Sequence, residues 1–306
     1  MTAILIYSDH DGFALELLTA AREMGAEQVR AVTINNDDQA KVLADAGASV
    51  LKINNDSMVL ADIAATAAAV AQAAEKAGAD TILLSSNRRG KELAGRLAQL
   101  IGAGCLTDVS SFKYEDGQIK CQRNALGGAT VAVQIIKTAK KVIAFMPRSF
   151  EAASGSGGSI EEFAADIPAP AVKLVEVKQK SGDNVDIEAA EALVAVGQGL
   201  KDADQLPMIE ALAKKLGGEV ACTKPVATDK KWLSEERIIG LSGKKCKPRL
   251  AVLLGISGQV QFTVGIRDAK TIVSINTDEN ASINTMADYV LVADLHQAVA
   301  DLNAKL

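Results

Sequence analysis

The chain is poor in aromatic residues, 3% in all, and has only two histidines, four cysteines and six prolines. Each shortage removes a class of function. The net charge is −5, and with no basic excess and few rings to stack on bases the surface is unsuited to nucleic acid. Cys105, Cys121, Cys222 and Cys246 form no C-x-x-C, and neither His10 nor His296 stands at metal-ligand spacing, so no zinc, iron–sulfur or other metal site is expected. The cysteines read as buried free thiols. No apolar run reaches the roughly 18 to 20 residues of a membrane span. Residues Met1 to Asp9 lack a basic lead-in and read as a buried first strand rather than a secretory signal, which makes the cytoplasm the expected location.

What the chain does have is apolar mass. A hydrophobic share of 48% over 306 residues suffices for two cores, and the pattern predicts two α/β domains, 1–180 and 186–306. Strands are expected over Ala3 to Tyr7, Val29 to Ile34, Ser49 to Ile53 and Thr81 to Ser85. Helices are expected between them, over Gly12 to Gly25, Asp37 to Gly47 and Met58 to Gly78. That alternation implies a doubly wound parallel sheet. Next comes a basic stretch, Arg88-Arg89-Gly90-Lys91, opening an amphipathic helix. It could hold a phosphate at the helix start, solvate that start, or meet a partner subunit.

From Gly104 the pattern turns to β-branched and polar alternation. Asp108 to Tyr114 and Ile119 to Arg123 flank the turn Glu115-Asp116-Gly117 as a hairpin, and Thr130 to Gln134 and Lys141 to Phe145 extend this antiparallel section. Ser154 to Ser159 is too rich in glycine and serine to pack and reads as an exposed loop. A strand over Val172 to Val177 and a polar linker over Lys178 to Asn184 close the first domain.

In the second domain strands are expected over Ala192 to Val196, Glu219 to Cys222, Arg249 to Leu254, Thr271 to Ile275 and Val290 to Val292. Helices are expected over Gln205 to Leu216 and Gln259 to Gly265. Ligands bind beyond the carboxyl ends of parallel strands, and short motifs stand at those ends here. They are Thr223-Lys224-Pro225, Gly240-Leu241-Ser242-Gly243, Gly255-Ile256-Ser257-Gly258 with Gln261 and Phe262, Asn276, and Asp294. The glycines let backbone approach an anion at a helix start. Lys224 alone reads as a solvated loop lysine, or as a cation held at the sheet's mouth by Pro225. Ser242 could donate to a ring nitrogen or satisfy its own turn, and Asp294 could accept from an adenosine or cap the last helix through Asn303. Together the motifs suit a dinucleotide with a pyrophosphate and a ring that becomes negative on reduction.

In order and spacing these segments, with Ile275-Asn276-Thr277-Asp278 and Ala287-Asp288-Tyr289 to Asp294, resemble the FAD-binding domain of the electron-transfer flavoprotein alpha subunit. The resemblance extends more faintly to Arg89 to Ala94, Thr107-Asp108-Val109 and Gly127-Gly128, and so covers nearly the whole chain. It implies an N-terminal doubly wound parallel sheet of adenine-nucleotide-hydrolase-like type with an antiparallel extension. To this it adds a C-terminal parallel-sheet, Rossmann-like domain that holds FAD. It implies an electron carrier with no catalytic residues of its own. Its partners would be a beta subunit carrying AMP or a second FAD, and a flavin-dependent dehydrogenase such as an acyl-CoA or 2-hydroxy-acid dehydrogenase. Carried over by position, Lys224 and Ser242 lie near the flavin ring, Ser257 and Gln261 beside the ribityl and pyrophosphate, and Asn276 and Asp294 toward the adenosine.

Three positions depart from the family pattern. Lys224 replaces an arginine, keeping the charge but losing the planar fork, Phe262 replaces a histidine that could donate to the flavin C2 oxygen, and Thr277 replaces a lysine. These departures motivate an alternative, a nucleotide-binding regulatory or structural subunit without redox activity. An enzyme with its own substrate site would need a base, and neither histidine nor any carboxylate pair supplies one.

Overall fold

The structure is a computed structural model that describes residues 3–59, 61–128, 130–169, 172–176 and 185–306. The chain divides into two compact units, Met1–Val177 and Lys178–Leu306. The expected linker, Lys178 to Asn184, lies outside the described residues.

In the first unit the elements run β1 (Ala3–Tyr7), α1 (Asp11–Glu23), β2 (Gln28–Ile34), α2 (Asp37–Asp45), β3 (Ser49–Ile53), α3 (Ile63–Ala77), β4 (Thr81–Ser85) and α4 (Arg88–Ile101). Then follow β5 (Gly104–Glu115), β6 (Gln118–Ala125), β7 (Thr130–Gln134), β8 (Lys141–Phe145) and β9 (Ser159–Glu162). These strands form one sheet in the order β7-β6-β5-β8-β4-β1-β2-β3-β9. Continuous apolar runs such as Ala3–Tyr7 and Thr81–Ser85 suit strands covered on both faces, and the helices supply those covers. Short polar side chains start the helices, as when Asn36 accepts from the Gln39 amide and Asp62 from the Ala64 and Ala65 amides.

Three expectations are corrected here. The segment Lys141–Phe145 is not part of the antiparallel section, because β8 runs parallel between β4 and β5. Its buried run Val142–Phe145 is that of an interior strand, which needs cover on both faces. Residues 172–176 form no strand, and the Val172 to Val177 expectation ends outside the described residues. Val175 is 90% exposed, so the apolar residues there have no sheet to join. The Gly/Ser segment is mostly exposed yet not detached, since the Gly158 amide donates to the Ala44 carbonyl and Ser159 begins β9.

In the second unit come β10 (Ala192–Val196), α5 (Leu206–Lys215), β11 (Glu219–Cys222), α6 (Lys224–Thr228), β12 (Leu250–Leu254), α7 (Val260–Thr263), β13 (Ile272–Asn276), β14 (Tyr289–Val292) and α8 (Leu295–Lys305). The sheet is parallel throughout, in the order β11-β10-β12-β13-β14. From β10 the chain passes to β11 on one side and then to β12 on the other. The carboxyl ends of β10 and β12 therefore flank a topological switch point, where connections leave in opposite directions and open a crevice. Among the described residues no helix is long and apolar enough to cross a membrane.

Candidate functional site

A crevice of about 920 Å³ opens at that switch point, within the size range of pockets for cofactors. Its walls are the segments that follow successive strands of the second unit. Gly197-Gln198-Gly199 follows β10, Thr223-Lys224-Pro225 follows β11, Gly255 to Phe262 follows β12, and Asn276 to Ser282 ends β13. Leu241 and Ser242 add a turn from the long connection before β12.

The glycine turn is built by close approach. Gly255 (φ +59°) and Gly258 (φ +91°) adopt backbone angles that side chains disfavour. A Cβ on Gly255 would sit 2.7 Å from the Gly199 Cα, and one on Gly258 would sit 2.2 Å from the Ile283 nitrogen. The amides of Ile256, Ser257 and Gly258 donate to no acceptor among the described residues. Successive free amides in a turn make a concavity for an anion. The helix that follows is a correction to the sequence reading, for α7 has four residues rather than the seven of Gln259 to Gly265. One turn carries little dipole, so the amides themselves are what favour an anion here.

On the β11 side Thr223 occupies the position before α6, with no side-chain bond to the helix, and the first residues of α6 are Lys224 and Pro225. Pro225 fits the opening turn of a helix, where its missing N–H costs nothing. This replaces the expected loop with a helix start. Lys224 is exposed and forms no ion pair among the described residues. The Thr223 hydroxyl is buried against the crevice and has no hydrogen-bond partner among them, a state a ligand acceptor or donor would relieve. In the turn Gly240 to Gly243, the Leu241 amide donates to the Gln261 carbonyl at 2.7 Å, while the Leu241 side chain is 70% exposed. Gly243 makes the turn and does not line the crevice, since a Cβ there would meet the Ile238 carbonyl at 2.2 Å.

Asn276 faces the crevice with both ends of its amide engaged. Its Nδ2 donates to the Ile256 carbonyl at 2.9 Å and its Oδ1 accepts from the Asp278 amide at 3.1 Å. Asp294 stands apart from the lining residues. It caps α8 by accepting from the His296 and Gln297 amides at 2.9 and 3.2 Å. Asn303 takes no part in that cap, because it donates to the Met208 carbonyl instead. Phe262 lines the crevice but is only 6% exposed, packed into the core with Ile239, Leu253 and Ile266. Gly258 is not among the lining residues and packs against the Ile283 backbone.

Thus eleven of the fifteen residues singled out at strand ends in the sequence line one crevice, and Gly240, Gly243, Gly258 and Asp294 do not. Among the lining residues the sequence reading did not single out are Gly197, Gln198, Gly199, Thr228 and Asp229, while Asp278 was quoted in a motif but given no role. A glycine pair directly after the apolar run Ala192–Val196 was the available signal for the first three. Asp229 had none, being a carboxylate on a surface turn.

Two of the three cations of the basic stretch in the first unit are paired within the chain, and Arg88 is exposed. Arg89 bonds Asp9 at 2.9 Å and Lys91 bonds Asp108 at 2.8 Å. Asn87 caps α4 through the Gly90 amide and also donates to Asp9. Three of the four cysteines are buried and Cys105 is partly so. Burial pushes the Cys222 thiol up to about 12 and that of Cys121 to about 11.

Comparison with known proteins follows the same division. Residues 5–168 match the electron transfer flavoprotein domain, and residues 186–267 match the electron transfer flavoprotein FAD-binding domain. The chain is 32% identical over 309 aligned residues to "Protein FixB" of an Escherichia coli O17:K52:H18 strain, covering 99% of this chain and 97% of that protein. It is 31% identical to the FixB proteins of Shigella flexneri and Salmonella paratyphi A, with at least 99% of this chain and 97% of theirs covered. Two matched domains in sequence order, and relatives aligned from end to end, leave one assignment: the chain belongs to the electron transfer flavoprotein family, as an alpha subunit.

Proposed function

We propose that the crevice of the second unit holds FAD, and that the chain passes electrons between a flavin-dependent dehydrogenase and a second redox partner. The observation that carries this reading is the convergence of free amides, an unpartnered buried hydroxyl and an unpaired lysine on one cavity of cofactor size. Bound there, the flavin would supply electron uptake and release in one- or two-electron steps.

The chain's own residues divide the remaining work. The Ile256 and Ser257 amides, with the Ser257 hydroxyl and Gln261 nearby, suit the pyrophosphate, and no long helix is needed. Lys224 and Ser242 suit the ring, where a preorganised cation and a hydroxyl favour added negative charge. Thr223 completes its hydrogen bonding on the ligand. Asn276 holds the turn in shape toward the adenosine end, and Asp294 contributes by starting α8 rather than by contact.

The same reading makes residues 1–180 the domain that packs with a beta subunit bearing AMP or a second FAD, and residues 186–306 the flavin domain. The dehydrogenase would be of the acyl-CoA or 2-hydroxy-acid class, and the setting the cytoplasm. Co-expression with a beta subunit tests it. A yellow complex that releases FAD on denaturation and cycles reversibly between oxidised and reduced forms supports the reading. A colourless complex, or one that retains only AMP or ADP, overturns it and favours a regulatory subunit.

A further inference from the structure

Beside the crevice, Lys230 bridges two segments that follow neighbouring strands. Its ammonium donates to the Leu200 carbonyl at 2.7 Å and sits 4.1 Å from the centroid of the Trp232 ring. Leu200 is fully buried and ends the Gly197-Gln198-Gly199 turn that walls the crevice. Trp232 packs against the core on the β11 side. Between the two side chains stands Lys231, with φ +55°. A left-handed backbone is disfavoured at a residue with a Cβ, yet here it folds Trp232 back under its neighbour so that the Trp232 amide reaches the Val226 carbonyl. Across the crevice the same turn is held by the Gly199 amide, which donates to the Gly255 carbonyl at 2.9 Å.

We propose that Lys230 is a positioning residue, a clamp that fixes the Gly197–Leu200 turn between α6 and the Gly255 turn and thereby sets the shape of the cofactor crevice. Lys230 does not itself line the cavity, so it acts through the turn. An ammonium bound to a carbonyl and faced by an indole is stronger than either contact alone. Arginine can reproduce both contacts, whereas methionine keeps the stem and loses the charge. The proposal rests on the FAD reading above for its consequence, though not for its geometry.

The test uses the full chain as wild type, Lys230→Met and Lys230→Arg. In the flavin-free protein, hydrogen exchange at the Gly199 and Leu200 amides should speed up about tenfold in K230M and stay near wild type in K230R. In the flavin-loaded complex, K230M should release FAD about tenfold faster and shift the visible flavin spectrum, with K230R restoring both. Unchanged exchange at Gly199 and Leu200 in K230M overturns the clamp, whether or not flavin binds. Faster exchange confined to that turn supports it even if the wild type takes up no FAD, an outcome that would sink the FAD reading alone. Exchange that rises uniformly across the second unit in K230M overturns the clamp in favour of general destabilisation.

Discussion

The Asn276 amide donates to the Ile256 carbonyl at 2.9 Å, joining the carboxyl end of β13 to the glycine turn after β12. Residues 20 apart in sequence thereby fix the shape of one glycine turn. Replacing Asn276 with alanine leaves that carbonyl and the Asp278 amide without their partner. The second unit should lose about 1–2 kcal/mol in urea denaturation. Equal stability of the variant and the wild type would show that solvent replaces the bond.

Gly258 has no room for a side chain. At φ +91° a Cβ would lie 2.2 Å from the Ile283 nitrogen, on backbone that cannot swing aside. Gly258→Ala should cost at least about 2 kcal/mol and abolish flavin retention, measured by denaturation and by absorbance of the purified complex. Retention of flavin at wild-type stability would mean the turn is more pliant than its contacts indicate.

Lys224 stands at the crevice without an acidic partner among the described residues. If the proposed flavin site is right, Lys224→Ala should lower the flavin's reduction potential, because negative charge gained on reduction loses a cation at the crevice, and Lys224→Arg should hold it close to wild type. Being exposed, the amine is screened, so the shift should be modest and shrink with salt. A reductive titration identical for all three proteins would remove Lys224 from the ring's surroundings.

Phe262 is 6% exposed and belongs to the core. Introducing histidine there buries a polar ring, with an expected loss of about 1–3 kcal/mol and little change in flavin potential. A raised potential at unchanged stability would show instead that the position faces the pyrimidine edge of the ring.

β9 is an edge strand whose four residues are all exposed; it pairs with β3, and ion pairs tie its two glutamates to β2, β3 and α3. Glu161 bonds Lys76 at 3.2 Å and Arg30 at 3.0 Å, and Lys52 bonds Glu162 at 2.8 Å. The Lys76 hydrogen bond, then that of Arg30, holds the Glu161 carboxyl below the ordinary carboxylate value. A depressed folded pKa contributes stability that is present above the unfolded pKa and lost as pH falls through the folded one. Exchange protection of Ser159–Glu162 should accordingly be flat near neutrality and drop in acid below that point. Protection that persists unchanged in acid would assign the strand's docking to its backbone ladder alone.

Much of the fold was legible because its signals are local. The Asp116-Gly117 turn takes positive φ at both residues and closes a two-residue hairpin between β5 and β6, as an Asp-Gly pair after a strand implies. The run Glu219–Cys222 was readable as a strand from four residues, and Lys224 and Ser257 stood visibly at strand ends. What escaped was whatever depended on neighbours. Lys141–Phe145 looks the same whether it pairs antiparallel or parallel, and only β4 and β5 on its two sides make it an interior parallel strand. Gln259 to Gly265 carries helical residues, yet the Gln261 carbonyl accepts from the distant Leu241 amide while the Gly265 amide turns to Phe262, and the α-helix is one turn long.

By itself the sequence determined the alternation of strands and helices, the two-part division and the placing of glycine, hydroxyl and lysine at carboxyl ends of strands. Those features follow from periodicity and from the backbone freedom of single residues. Only the tertiary structure decided that β10 lies between β11 and β12, so that the Gly197 and Gly255 turns meet and a crevice opens between them. It also decided that Phe262 turns into the core and that Asp294 spends its carboxylate on a helix cap. Strand order and burial arise from contacts between segments tens of residues apart, and no local pattern carries that information.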